Sequence, residues 1–171
     1  VVSSILTAST SPAQSRLSLR AATPRRRTAE HRSESMRHLP ISLIGAPTDI
    51  GAGHRGASMG PEALRVAGIA HALLARGFAL VDRGNLTGPL NPWLPPADGY
   101  RHLAEVIEWN RLVMHAVRAE LDLGRLPILL GGDHCLGVGS ITAVADWCRA
   151  RGRPLMVLWL DAHADFNTRE I

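Results

Sequence analysis

Lysine is absent from this chain: all nineteen of its basic residues are Arg. That excludes Schiff-base catalysis and the lysine of a phosphate-binding P-loop together. Cysteine is nearly absent too. Cys135 and Cys148 alone build no disulfide framework and suit a reducing compartment. No apolar run approaches the ~20 residues that cross a bilayer, so no membrane partner is expected. Trp93, Trp109, Trp147 and Trp159 do not cluster as a base-stacking platform. The charge argues the same way. Residues 1–35 hold six Arg against two Glu and so carry the whole formal excess of +4. The remainder is neutral and has no nucleic-acid footprint.

Residues 1–35 are rich in Ser, Thr, Ala and Arg and lack hydrophobic periodicity. Mitochondrial transit peptides have this composition. The preferred reading is a disordered leader, or an upstream stretch placed before a true start at Met36, because ordered patterning begins at Ile41. A cytoplasmic location follows, with a mitochondrial one as the alternative if the leader is real. Residues 36–171 are expected to form one domain portion.

From Leu39 the pattern alternates. Leu39–Ala46 reads as a strand, and Pro61 opens a helix whose spacing runs over Glu62–Arg76. Phe78–Asp82 is a short strand, and the Gly- and Pro-rich stretch 84–96 an irregular loop. A long helix is expected over 98–123, ended by Gly124. Strands at Pro127–Leu130 and 154–160 flank a helix at 138–151. Strands with continuous apolar runs alternating with helices predict a three-layer α/β/α fold on a mainly parallel sheet of about four strands.

Ligands of such a sheet bind beyond the carboxyl ends of its strands. Two strand ends carry candidate metal ligands. Leu130 leads into Gly131-Gly132-Asp133-His134, and Leu160 into Asp161-Ala162-His163-Ala164-Asp165. Alternate residues of an extended chain point the same way, so Asp161, His163 and Asp165 can converge. With His134 they offer carboxylate oxygen and imidazole nitrogen without thiolate, a set that suits Mn²⁺ or other oxygen-tolerant divalent ions better than a structural zinc. Taken singly, each could cap a helix or sit in a turn; four convergent residues fit that reading poorly. Cys135 reads as a small residue opening a helix, and Trp159 as packing beneath the site. Gly51-Ala52-Gly53-His54-Arg55-Gly56 fits G-x-G-x-x-G literally, but the strand ends too early and the helix starts too late for dinucleotide binding. His54, His71, His102 and His115 lack ligand spacing.

The segments 130–134 and 161–168 together resemble the ureohydrolases, arginase most closely. Gly45–Gly51, Arg55-Gly56 and Met59–Arg65 match the opening part of that family's pattern. The resemblance implies that His134, Asp161 and Asp165 hold one manganese, and that Asp161 bridges to a second, which His163 also binds. Asp165 would also handle the proton of the hydroxide between the two ions and pass it to the leaving amine. Asn167 would recognise the substrate's α-carboxylate, favouring L-arginine over agmatine. Cys135 stands where the family often has Ser. Two Mn²⁺ per complete site and a trimer or hexamer are further implications.

The family pattern also uses a later Asp-x-Asp pair, and no acid except Glu170 follows Asp165. The expectation is therefore an arginase-type fragment, inactive by itself, with an exposed apolar sheet edge. Agmatine or another guanidino substrate, and a non-catalytic metal-binding remnant, are the alternatives.

Overall fold

The computed structural model describes residues 2–3 and 39–161. Its sheet is built on β2 (Ile41–Ala46), every residue of which is buried. β2 pairs in parallel with β4 (Leu126–Gly131) on one side and with β3 (Leu80–Asn85) on the other. A two-residue strand β1 (Val2–Ser3) adds antiparallel to β4 at Leu129 and Leu130, giving the order β1-β4-β2-β3. The period-2 alternation of strands sends neighbouring side chains to opposite faces. Ile41 and Leu43 join Leu130 in one apolar cluster, with Leu64, Ile69 and Leu73 from helices α1 (Gly60–Val66) and α2 (Ile69–Leu74) packed on it. Ile44, Ala46 and Leu129 face the other way, against Trp109, Val113 and Val117 of α3 (Leu103–Asp122). Ala143, Val144 and Cys148 of α4 (Gly137–Arg149) complete that cluster. Helices therefore cover both faces, as the apolar strands require.

Four expectations need correction. The helix over 62–76 is two helices, because Gly68 takes a left-handed φ of 88° and breaks the ladder between them. The second strand lies at 80–85 rather than 78–82. Its pairing with β2 starts at Leu80, and an extra residue inserts opposite Ile44, where Gly84 adopts φ 71°. This is a β-bulge on an edge strand whose solvent side tolerates Asp82, Arg83 and Asn85. The long helix starts at Leu103, not 98, since Asp98 and His102 both have positive φ.

Most consequentially, 154–160 is not a strand. The outer edge of β4 is paired with β1, and the segment runs over the start of α4 instead. Leu155 packs on the core, whereas Leu158 and Leu160 are 61% and 93% exposed. Among the described residues the parallel sheet thus has three strands.

Candidate metal centre

The connection after β2 passes to α1 on one face, and the connection after the adjacent β4 passes to α4 on the other. Such a reversal opens a crevice at the carboxyl ends of the two strands, where α/β proteins bind ligands. His134 stands in that crevice, in the short 3₁₀ turn His134–Leu136 that leads into α4. Asp161 comes to it from the far end of the chain: its Oδ2 lies 3.6 Å from His134 Nδ1. The Asp161 side chain is 10% exposed and that of His134 42%. Trp159 meets the imidazole edge-on, with ring centroids 5.8 Å apart, and lies over Gly137. A side chain at 137 would touch that indole at 3.0 Å, so the glycine lets segment 155–161 close on the turn.

Two of the four expected ligands are therefore brought together. His163 and Asp165 lie outside the described residues, as do Asn167 and Thr168. Among the described residues no group of three His, Cys, Asp or Glu could hold a metal. The donors present nevertheless fit Mn²⁺ in kind, one imidazole nitrogen and one carboxylate oxygen.

The groups that hold the crevice in shape are ones the sequence did not single out. Asp133 accepts hydrogen bonds from Gly51 N–H at 2.7 Å and from Cys135 N–H at 3.1 Å. One carboxylate thereby caps the turn carrying His134 and ties it to the loop after β2. Its position just before a helix start was the available signal. Asp133 also helps to silence its neighbour: burial first, then the Asp133 charge, pushes the Cys135 thiol up to about 12. Cys135 packs on the core as a small apolar group.

Asp49, also buried, accepts from Gly56 N–H at 3.2 Å and from the Ser58 hydroxyl at 3.1 Å. Gly51 N–H and Gly56 N–H are thereby committed to Asp133 and Asp49.

His102 is a second clamp. Its Nδ1–H donates to Ile50 O at 2.7 Å, and in that tautomer Nε2 accepts from Leu94 N–H at 3.1 Å. It joins the loop after β2 to the 86–94 loop across 52 residues of chain. His102→Ala is expected to cost about 2 kcal/mol, since the buried Ile50 carbonyl and the Leu94 N–H lose their partner. The exchange rate of the Leu94 amide checks this. Unchanged protection of Leu94 would show that the clamp is incidental.

The chain belongs to the arginase family, whose model matches residues 39–171. Over 128 residues it is 38% identical to the arginase of Brevibacillus brevis, a match covering 75% of this chain and 42% of that protein. Over 133 residues it is 38% identical to the arginase of Bacillus caldovelox, covering 77% and 43%. The solved Bacillus caldovelox arginase superposes with a TM-score of 0.59 at 35% identity, covering 64% of this chain and 37% of that one. Entamoeba histolytica arginase in complex with L-ornithine gives 0.63 at 29% identity, covering 78% and 45%. The chain thus spans less than half the length of the relatives it matches. Among its described residues no helix is long and apolar enough to cross a membrane.

Proposed function

We propose that this chain contributes the first part of a two-manganese centre that hydrolyses L-arginine to L-ornithine and urea. The observation carrying the reading is the approach of Asp161 to His134 in the switch-point crevice of an arginase-family sheet. His134, Asp161, His163 and Asp165 would hold the metal. A guanidinium carbon is a poor electrophile, and neutral water a poor nucleophile. Divalent manganese, when bound, supplies Lewis-acid polarisation and brings the acidity of water towards neutral pH. The residues do the rest. Trp159 shields one edge of the His134 imidazole, and Asp133 fixes the turn that presents it. Asp165 would take the proton released on attack and return it to the leaving amine, for which a carboxyl group is chemically suited. Asn167 would bind the α-carboxylate and so disfavour agmatine. A trimer or hexamer of the whole protein accompanies this reading.

Manganese binding followed by electron paramagnetic resonance tests the site directly. The purified chain should deplete the free Mn²⁺ signal, and His134→Ala or Asp161→Ala should weaken binding at least tenfold, the loss typical when a metal ligand's support is removed. Unaltered binding in both variants would remove the basis of the reading. Urea release from L-arginine against agmatine then reads the substrate. The alternative reading is a non-catalytic metal-binding protein. Stoichiometry separates the readings, with two ions per chain supporting the enzyme and one the alternative.

A further inference from the structure

The double clamping of the loop after β2 has a chemical product. Asn91 Nδ2 donates to Asp49 O at 2.9 Å, and its Oδ1 accepts from Trp93 N–H at 2.9 Å. Asp49 simultaneously holds Gly56, the residue after Arg55. One buried aspartate therefore fixes both Trp93 and Arg55, and His102 repeats the tie between Ile50 and Leu94. The result is the Arg55 guanidinium seated 4.7 Å above the Trp93 ring.

Trp93 is held at φ 54°, a strained conformation for a bulky residue, and the same loop contains two further strained non-glycine residues, Asp98 and His102. Strain of this kind, over-determined by hydrogen bonds, marks positions with a task. Arg55 and Trp93 edge an open cleft of about 650 Å³ at the carboxyl ends of β2 and β3. Among the described residues lining it, Arg55 is the only cation and Asp49 the only acid. The oxygens of Asp49 are engaged by Gly56, Ser58 and Asn91. Arg55 is exposed, lines the cleft and makes no ion pair with any described carboxylate.

We propose that Arg55, supported by Trp93, is a capture site for the carboxylate of an amino-acid substrate. A planar guanidinium matches a carboxylate with two parallel hydrogen bonds, and the indole beneath it fixes its plane. Arg55 lies four residues, no more than about 14 Å of chain, from Gly51, which is itself bonded to Asp133, the neighbour of His134. The inference rests on the reading that the substrate is an amino acid.

Tryptophan fluorescence of the full chain in EDTA tests it without any metal chemistry. N-Acetylglycine and L-arginine should each perturb the emission saturably, and agmatine, which lacks the carboxylate, should not. Arg55→Ala should weaken both responses at least tenfold and Arg55→Lys by less, while Trp93→Phe should remove the signal. Circular dichroism checks that these exposed-site variants fold. Equal responses to agmatine and L-arginine would overturn the proposal. So would loss of binding in Asn167→Ala with none in Arg55→Ala. Failure of the arginase reading alone looks different: carboxylate binding persists, and His134→Ala and Asp161→Ala leave Mn²⁺ binding unaltered.

Discussion

Replacing Gly132 by Ala should abolish stable folding or cost at least about 3 kcal/mol, the upper range for forcing atoms into a packed interior. A Cβ at 132 would collide with the backbone oxygen of Thr48 and come within 2.8 Å of that of Ala57. Both obstacles are main-chain atoms, so no rotamer change relieves them. The turn cannot retreat either, because Gly132 N–H donates to Ala46 O at 3.2 Å and Asp133 N–H to Thr48 O at 2.9 Å. About 3 kcal/mol corresponds to a drop of roughly 10 °C in Tm for a domain of this size. The loop after β2 would part from the turn bearing His134, so Mn²⁺ binding should fall with stability. Gly53→Ala is the control. Nothing lies within 4 Å of its Cβ position, and its stability should change by no more than about 0.5 kcal/mol. Equal melting temperatures for both variants would show that the loop does not close on the turn as described.

The contrast between these two glycines marks how far the sequence could be read. β2 and β4 were legible within two residues, because buried parallel strands are written as nearly continuous apolar runs such as Ile41–Ala46, where Ser42 is the one polar residue. His134 was legible from the same logic, as a ligand-type residue just past a strand end. Leu155–Leu160 has the identical signature yet lies outside the sheet, since an apolar run states a need for burial and not which edge is free to pair. Asp161 reached His134 all the same, carried by Trp159 on Gly137 rather than by a strand ladder. Asp133, Asp49 and His102 were not singled out because their partners are remote. Asp133 bonds Gly51 across 82 residues, Asn91 bonds Asp49 across 42, and His102 bonds Ile50 across 52. Local spacing carries no trace of such bonds; only the fold does.

Glu120→Ala should destabilise the protein by about 3 kcal/mol, the lower end for breaking a buried ion pair, without touching the metal centre. Glu120 is buried on α3, with 6% of its side chain exposed. It accepts from Arg83 Nε on β3 at 2.7 Å and from Arg125 just before β4 at 2.9 Å. One carboxylate thus ties the helix to both outer parallel strands. The two guanidinium groups are 43% and 25% exposed and regain water when the partner is lost, which keeps the cost at that lower end. Burial would raise the Glu120 pKa, but the hydrogen bonds from Arg125 and Arg83 outweigh it and hold the carboxyl below its ordinary 4.5. A group depressed in the folded state contributes stability that is fully present above its unfolded pKa and is lost as pH falls through its folded one. Wild type should therefore lose part of its stability below about pH 4.5, while Glu120→Gln, which cannot titrate, should lose less over the same range. Urea denaturation between pH 3 and pH 7 reads both effects. Parallel pH profiles for wild type and Glu120→Gln would show that this carboxylate is not a source of the acid limb. A loss well under about 1 kcal/mol in Glu120→Ala would place the pair among surface contacts of little consequence.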